Sequence, residues 1–559
     1  MYFFSFNSGG AHRKPLLSPA IIGVAAAACF WSPLSAQSLE VSPYHQWTGP
    51  PQTFTYFAES VAGGVDINAD GFDDLMVSSP NEDVGGITDA GLVRVYSGFD
   101  GSILYSLTET WGYTYGLHFG SSLSGLKDVN GDGHDEFMVG HQVSLPGLSG
   151  AVRVYSGIDG SILHTINGVW GDYIGRTIKD VGDINQDGIH DFAFCTERST
   201  GGTQDVFIHS GLDASLIYQW AIPDALMELS LDAAGDVNGD GVPDVIVGAP
   251  NYHWPSSTTY GAIFVYSGID GSLLLQKGGG NHQLYLGTSV AGVGDVNGDG
   301  YADVMAGAPG NYYSASGVFI WSGFDGSELY AFTSSVYGVI GSSVSGAGDF
   351  NQDGFDDFLV SRDDYTSPVL WVRSGKTGEI LRGLDDGLGT HTIGRAIARA
   401  GDVNGDGLPD VIAGDKFYLG GKVTVFSHFG KLTSSTSRIY ASFPSAVQLT
   451  VQFPPHAANH EYKILLSAAG GGLSDQGVAL HLIPDSFTTS SFRNIYPVPN
   501  AIGMQGVLDG NGKASATFHA AAGFFTRAVG RTVHAVAIAN APGSTAYLAT
   551  SNASISIRP

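Results

Sequence analysis

The sequence is poor in cysteine and in basic residues, and it has no long apolar run after its N-terminal segment. Only two of its 559 residues are cysteines, Cys29 and Cys195, so a disulfide framework is excluded. Lys and Arg number 25 against 53 Asp and Glu. Without a basic stripe to displace counterions from phosphates, nucleic acid is not expected as a partner. No later segment approaches the ~20 apolar residues of a membrane span, so no transmembrane anchor is expected.

The N-terminal segment reads as a secretory signal. Basic residues at 12–14 precede an apolar run at 21–28, and small residues follow at Ser35 and Ala36. This order predicts a signal peptide over residues 1–36, removed after Ala36, and a protein that is secreted or held at the cell surface. A membrane anchor is the alternative, but the run is short and Pro33 interrupts it. Cys29 leaves with the signal, and Cys195, in an apolar run, is expected to be a buried strand residue.

Glycine is abundant, with 80 residues, and one nine-residue pattern, Asp-x-Asn-x-Asp-Gly-x-x-Asp/Glu, recurs seven times. We number these loops 1 to 7 from their first residues, Asp66, Asp128, Asp183, Asp236, Asp295, Asp349 and Asp402. Successive loops start 53 to 62 residues apart, with room for four short strands per unit. That period is typical of propeller blades. The sequence therefore predicts an all-β fold whose residues 37–430 form a seven-bladed β-propeller.

The fifth unit shows the predicted layout of a blade. Strand A at 286–292 leads into the loop, and strand B at 303–309 follows it. Strand C at 317–321 is joined to strand D at 328–332 by a turn whose Asp-Gly pair favours a hairpin. The seventh unit has a strand C at 422–426 but no convincing strand D. We therefore predict that the segment 38–47 completes the seventh blade.

The loops have the composition of calcium sites. Positions 1, 3, 5 and 9 offer side-chain oxygens, position 7 offers its backbone carbonyl, and Gly at position 6 permits a sharp bend. Hard oxygen donors of this number favour Ca²⁺ over Mg²⁺ or Zn²⁺. The predicted ligands of up to seven structural Ca²⁺ ions are Asp66, Asn68, Asp70, Phe72, Asp74; Asp128, Asn130, Asp132, His134, Glu136; Asp183, Asn185, Asp187, Ile189, Asp191; Asp236, Asn238, Asp240, Val242, Asp244; Asp295, Asn297, Asp299, Tyr301, Asp303; Asp349, Asn351, Asp353, Phe355, Asp357; and Asp402, Asn404, Asp406, Leu408, Asp410.

An EF-hand is the competing interpretation of each loop. It requires a bidentate Glu at position 12 and flanking helices. Position 12 is apolar in all seven loops, so the EF-hand is rejected: Val77, Val139, Phe194, Val247, Ala306, Val360 and Ala413. The loops also hold 24 of the 53 acidic residues, which makes much of the net charge of −28 a metal-site signature. Empty loops would crowd like charges together, so we expect calcium binding to stabilise the fold.

With the loops in place, the repeats resemble FG-GAP repeats, the units of the integrin alpha propeller. The "FG" position is occupied by residues 119–120, 174–175, 286–287, 340–341 and 393–394, and "GAP" is intact at 248–250 and 307–309. The resemblance covers roughly residues 45–430. It implies a module that binds an extracellular protein or glycan. There is no D-x-S-x-S adhesion motif, so an inserted adhesion-type domain is not implied.

The C-terminal part departs from the repeat. We expect a linker at 431–438 and a β-sandwich-like domain at 439–559, with strand-like runs at 447–453, 462–466, 478–483, 514–518, 533–538 and 551–557. Its end resembles the terminal domains of secreted proteins from planctomycete-like bacteria. His456 and His460 have the spacing of a helical zinc motif, but Pro454 and Pro455 favour a turn there.

Two functions are compatible with this organisation. The first is a non-enzymatic adhesion or ligand-binding module, which could use the aromatic residues between strands, namely Trp111, Tyr113, Tyr115, Trp170, Tyr173, Tyr252, Trp254, Tyr312 and Tyr313. Packing between blades is the other interpretation of these aromatics. The second function is an extracellular polysaccharide lyase or hydrolase on a calcium propeller. No G-x-S-x-G or H-E-x-x-H motif is present, and the loop carboxylates are assigned to metal, so no catalytic residue is predicted.

Overall fold

The structure is a computed structural model. It describes residues 41–558 apart from the segments 51–54, 110–117, 143–148, 170, 199–202, 226–227, 254–259, 279–284, 311–314, 335–338, 364–369, 385–393, 406, 417–419, 429–430, 435–437, 441–444, 453–460, 469–501, 508–512, 521–531, 541–547 and 550–552. The predicted signal peptide, Asp406, His456 and His460 therefore lie outside the described residues.

Seven four-stranded antiparallel sheets form the blades of a β-propeller, and the all-β prediction is confirmed. In chain order, the strands of blade 1 are β2 (Val61–Val65), β3 (Asp74–Ser79), β4 (Leu92–Tyr96) and β5 (Ile103–Leu107); of blade 2, β6 (Phe119–Leu126), β7 (Glu136–His141), β8 (Ala151–Tyr155) and β9 (Ile162–Asn167); of blade 3, β10 (Ile178–Gly182), β11 (Asp191–Cys195), β12 (Thr203–His209) and β13 (Leu216–Pro223); of blade 4, β14 (Ser230–Gly235), β15 (Asp244–His253), β16 (Tyr260–Tyr266) and β17 (Leu273–Gly278); of blade 5, β18 (Ser289–Gly294), β19 (Asp303–Ala308), β20 (Ser316–Trp321) and β21 (Glu328–Ser334); of blade 6, β22 (Val339–Gly348), β23 (Asp357–Asp363), β24 (Leu370–Arg373) and β25 (Ile380–Leu384); of blade 7, β26 (Ala396–Gly401), β27 (Asp410–Asp415), β28 (Lys422–His428) and β1 (Val41–Thr48).

The ring of blades is closed by the N-terminal strand. β1 pairs antiparallel with β28, from Val41 opposite His428 to Thr48 opposite Lys422, and so serves as strand D of blade 7. This confirms the predicted closure. Trp47 of β1 stacks on Tyr96 of blade 1, with ring centroids 4.3 Å apart. The first blade and the last are therefore fastened together by a strand from the other end of the chain.

The core lies between neighbouring blades. The A strands of adjacent blades touch one another around the whole ring, so they line the centre, and the D strands form the outer edge. Every residue of β3, β7, β11, β19 and β27 is buried, including the acid with which each of these strands begins. Each fully buried Val, Leu, Ile or Phe contributes about 1.5–3 kcal/mol. Cys195 is buried in β11, as predicted.

The antiparallel order of the strands separates two ends of the propeller. The A–B loops and the C–D turns share one end, which we name the A–B end. The B–C and D–A connections share the other, which we name the B–C end. All seven nine-residue loops are A–B loops, because each one joins the first and second strands of a blade. They therefore lie at one end of the propeller, around its axis.

The C-terminal part contains two further sheets. One holds β29 (Lys431–Ser434), β31 (Ser445–Gln452) and β34 (Lys513–Ala520). The other holds β30 (Arg438–Tyr440), β32 (Glu461–Ala468), β33 (Ile502–Val507), β35 (Thr532–Asn540), β36 (Leu548–Ala549) and β37 (Ala553–Arg558). The predicted linker 431–438 thus includes the strand β29, and the sandwich stays a prediction. The described residues contain no helix, and hence none long and apolar enough to cross a membrane.

Candidate metal-binding loops

Each loop is wrapped around the carboxylate of its first residue. In loop 5 the N–H groups of Asp299 and Gly300 donate to Asp295 Oδ1 and Oδ2 at 3.0 and 2.8 Å. Asp299 N–H also donates to Asn297 Oδ1 at 2.8 Å, and Tyr301 N–H donates to Asp299 Oδ1 at 3.0 Å. Gly300 has φ of +91°, which L side chains rarely adopt. The side-chain oxygens of positions 1, 3 and 5 are thereby held in one tight turn.

The same frame recurs around the ring. In all seven loops the N–H of the glycine at position 6 donates to the first aspartate at 2.8–2.9 Å, the donors being Gly71, Gly133, Gly188, Gly241, Gly300, Gly354 and Gly407. The repeat seen in the sequence is therefore also a repeat of hydrogen-bond geometry.

The ninth residue is a buried carboxylate, and in loops 1, 3, 4, 5 and 6 it joins two parts of its blade. In loop 5, Asp303 Oδ2 accepts the Val296 N–H at 3.0 Å, and Asp303 Oδ1 accepts the N–H of Gly323, in the C–D turn, at 3.0 Å. The ninth residue is fully buried in every loop, at Asp74, Glu136, Asp191, Asp244, Asp303, Asp357 and Asp410. One acid therefore fastens the A–B loop to the C–D turn.

Burial makes these carboxyl groups weaker acids than ordinary Asp and Glu side chains. It raises the pKa of Asp303 and of Glu136 to about 7, and the pKa of Asp244 to about 6. Loss of hydration is the main cause, and the neighbouring loop carboxylates raise the pKa values further. Backbone N–H donors act in the opposite direction but do not offset it. A cation among the loop oxygens would supply the charge that the buried carboxylate lacks.

The donor set fits a hard cation. In loop 2, one carboxylate oxygen from each of Asp128, Asp132 and Glu136 lies within 4.8 Å of the others. These donors and those predicted in the other loops are all oxygens, which is the set that Ca²⁺ prefers. Glu136, the one Glu at position 9, also accepts a hydrogen bond from Asn130 Nδ2 at 2.7 Å, so it joins the same turn. The fifth residue of loop 7, Asp406, lies outside the described residues.

Sequence reasoning missed the residue at position 8. In loop 6, Asp356 Oδ2 accepts the backbone N–H of Asp295 in loop 5 at 3.1 Å. In loop 1, Asp73 accepts the N–H of Asp402 in loop 7 at 2.7 Å, and in loop 2, Asp135 accepts the N–H of Asp66 at 2.9 Å. Each bond links neighbouring blades. Because position 8 varies from loop to loop, the repeat pattern did not indicate it.

A second missed feature was visible in the sequence. Glycine precedes the first aspartate in five loops, at Gly182, Gly235, Gly294, Gly348 and Gly401, with φ between +65° and +81°. A Cβ on Gly294 would overlap Asp356 Oδ2, and one on Gly401 would overlap Asp73 Oδ2. These glycines leave space for the eighth residue of the next blade. The recurring Gly-Asp pair was the signal that could have predicted it.

Few of the aromatic residues proposed for ligand contact can be placed. Tyr173 and Tyr252 are described, and the other seven lie outside the described residues. Tyr252 is part-buried and packs edge-on against Phe264, with ring centroids 5.4 Å apart. For Tyr252, packing within the blade is therefore the better interpretation. Burial raises the pKa of the Cys195 thiol well above its usual range, which agrees with a structural role.

Comparison with known proteins agrees with this architecture. Models of the FG-GAP repeat match residues 57–96, 230–266 and 286–321, and a model of the FG-GAP-like repeat matches residues 349–413. Integrin alpha-V of Gallus gallus is 29% identical over 206 residues, covering 33% of this chain and 19% of the relative. Integrin alpha-5 of Xenopus laevis is 27% identical over 205 residues, with the same coverage. Integrin alpha-3 of Cricetulus griseus is 32% identical over 144 residues, covering 23% of this chain and 13% of the relative.

The chain therefore spans about a fifth or less of the length of these curated relatives. The relatives named here are all integrin alpha chains. Repeat matches in blades 1, 4, 5, 6 and 7 coincide with strands and loops that share one geometry. This chain contains FG-GAP repeats and is similar to integrin alpha chains, and its repeating units build a seven-bladed β-propeller.

Proposed function

We propose that this chain is a secreted, calcium-stabilised propeller that acts as an adhesion or ligand-binding module. The observation that carries the proposal is the seven-fold recurrence of one loop geometry at the A–B end, each copy holding a fully buried acid at position 9. Structural calcium at one end rigidifies the blades. The other end is then available to hold connections that recognise a ligand.

Calcium explains why buried acids recur at position 9. A carboxylate without a countercharge is costly to bury, and its pKa rises as a result. In each loop the side chains of positions 1, 3, 5 and 9 and the carbonyl of position 7 would hold the ion. The ion would supply positive charge to a turn that the sequence makes strongly negative. Because an unfolded chain does not preform such a site, the binding free energy would add to the stability of the fold.

Ligand recognition is best assigned to the B–C end. Several of the connections there are longer than the six-residue C–D turns: residues 80–91 join β3 to β4, and residues 108–118, 168–177, 279–288 and 385–395 join successive blades. Long connections on a rigid scaffold commonly carry binding residues. Seven of the nine aromatic residues noted in the sequence fall within such connections and outside the described residues. An extracellular protein or glycan is the ligand class that we propose.

Calcium binding is tested by thermal unfolding of the full secreted chain. Removal of metal should lower the melting temperature, and calcium should restore it with a midpoint of about 10⁻⁴–10⁻³ M, as in other extracellular modules. Magnesium is the control, because it demands a smaller octahedral site and should restore less. An unchanged melting temperature in the metal-free protein would refute structural calcium.

Ligand binding is tested on glycan and extracellular-matrix arrays with and without calcium. The module predicts retention on specific array members, no chemical change in them, and loss of binding once metal removal loosens the blades. Release of new reducing ends or unsaturated sugars would instead establish the polysaccharide lyase or hydrolase alternative. Replacing residues 254–259 or 311–314 with Gly-Ser segments of equal length should reduce binding, while Asp325→Asn at the A–B end should not.

A further inference from the structure

The calcium loops of neighbouring blades are connected by direct hydrogen bonds. Asp356 stands between the position 7 and position 9 donors of loop 6, and its carboxylate holds the backbone of Asp295, the first ligand of loop 5. Asp356 N–H also donates to the Asp295 carbonyl at 3.4 Å. One residue of loop 6 therefore fixes both backbone groups of a ligand residue in loop 5.

The same double contact joins loops 7, 1 and 2. Asp73 N–H donates to the Asp402 carbonyl at 3.3 Å, and Asp135 N–H donates to the Asp66 carbonyl at 3.2 Å, while the two carboxylates accept in return. Lys127 Nζ adds donations to Asp135 Oδ2 at 2.7 Å and to the Gly64 carbonyl at 3.0 Å. The chain of contacts thus crosses the seam where the first and seventh blades meet.

Other positions in the ring lack the carboxylate. Position 8 is Pro243 in loop 4 and Pro409 in loop 7, and proline has neither an N–H nor a side-chain acceptor. In loop 5 it is Ala302, whose N–H donates to the Asp236 carbonyl at 3.0 Å but whose methyl group accepts nothing. The same ring therefore contains neighbouring loops that are joined by a carboxylate at position 8 and neighbouring loops that are not.

We propose that the carboxylates at position 8 are positioning residues that couple calcium binding between adjacent blades. Loops 7, 1 and 2 form one cooperative group, and loops 5 and 6 form a second; this rests on the proposed calcium binding. An ion in loop 6 orders Asp356, which sits between two of its ligands. Asp356 then holds Asp295 in place for the ion in loop 5, so the second ion meets a preorganised site. By reciprocity, an ion in loop 5 strengthens binding in loop 6.

The test uses loop 6, which has a linked neighbour on one side and an unlinked one on the other. Phe355→Trp in the full chain places an indole at position 7 of loop 6, where it sensitises Tb³⁺ luminescence that Ca²⁺ competes away. Asp295→Asn weakens the ion site of loop 5, which Asp356 links to the reporter. Asp402→Asn weakens loop 7, which faces the reporter's blade through Pro409. The two changes are chemically matched.

We expect Asp295→Asn to weaken calcium binding at loop 6 by about 5- to 150-fold, the usual range for coupled sites, and Asp402→Asn to change it less than about twofold. Adding Asp356→Ala should abolish the effect of Asp295→Asn. Equal effects of the two Asn variants, or none from either, overturn the coupling. If Tb³⁺ luminescence does not respond to calcium in the parent, the calcium proposal itself fails.

A gain-of-function variant keeps the test valid if Asp356→Ala does not fold. Gly235 leaves the space beside Ala302 that Gly294 leaves beside Asp356, since a Cβ on Gly235 would lie 2.7 Å from Ala302 Cβ. Ala302→Asp should therefore create a link between loops 4 and 5. With Tyr301 as the natural sensitiser in loop 5, Asp236→Asn should weaken binding there at least fivefold more in the Ala302→Asp background than in the parent. Equal effects in the two backgrounds overturn the proposal.

Discussion

The metal-free protein should become less stable as the pH rises, and Asp303 allows this to be measured at one loop. Burial raises the pKa of Asp303 from 3.8 to about 7. Between pH 4.5 and 6.5 the folded state keeps this carboxyl protonated, while the unfolded chain ionises it. The native state then binds one more proton than the unfolded state. The stability that protonated Asp303 contributes is therefore fully present below about pH 4 and is lost as the pH rises to about 7.

The magnitude follows from linkage. One extra proton in the folded state corresponds to a slope of about 1.4 kcal/mol per pH unit. Five other position 9 acids have pKa values raised to about 6 or 7, at Asp74, Glu136, Asp191, Asp244 and Asp357. Summed over several such acids and over two pH units, the loss of unfolding free energy would rival the whole stability of a domain, about 5–15 kcal/mol. We therefore expect the metal-free protein to lose its fold between pH 5 and 8, and calcium to prevent that loss.

Thermal and urea unfolding of the metal-free protein at pH 5, 6, 7 and 8 would measure this slope. Asp303→Asn cannot titrate and should reduce the slope by about 1.4 kcal/mol per pH unit. Asp325→Asn is the control, because Asp325 is exposed and hydrogen bonds from Ser327 lower its pKa, so it titrates below the window. Comparison of variants at the same pH cancels the titration of His45, His190 and His209. A metal-free protein that melts at the same or a higher temperature at pH 8 than at pH 5 would refute the reasoning.

Three further predictions concern the blade contacts. Trp47→Ala should lower the free energy of unfolding by about 2–3 kcal/mol, because it removes a part-buried ring stacked on Tyr96. The control is Gln46→Ala, which changes an exposed side chain of the same strand and should cost little. Urea unfolding with calcium present measures both variants, and equal losses would contradict ring closure through β1. Tyr105→Phe removes a hydrogen bond of 2.6 Å to the Gly157 carbonyl of blade 2 and should cost about 1 kcal/mol in the same assay, with exposed Ser106→Ala as the neutral control. Gly294→Ala should destabilise the fold more than Gly300→Ala. Both glycines have positive φ, but a Cβ on Gly294 would overlap Asp356, whereas nothing lies within 4 Å of a Cβ on Gly300. Equal melting temperatures of the two variants would show that the overlap with Asp356 is relieved without cost.

Strand positions in the propeller were predictable because the period of the loops set them. In blade 5 the predicted strand B at 303–309 is Asp303–Ala308, and the predicted strand D at 328–332 is Glu328–Ser334. Strand A was placed at 286–292 but forms at Ser289–Gly294, because its small residues give no apolar alternation to fix the boundary. The C-terminal region has no repeat, and there β29, β30, β33 and β36 were missed, while the predicted strand at 478–483 lies outside the described residues.

The sequence alone determined the number of blades, the position of each loop and the oxygen-rich character of the candidate metal sites. It could do so because each loop is a local turn, and its donors lie within nine residues. Tertiary structure decided what joins one blade to the next. The bond from Asp402 N–H to Asp73, for example, spans 329 residues. Such contacts form only when the ring closes, so no pattern within a single unit could specify them.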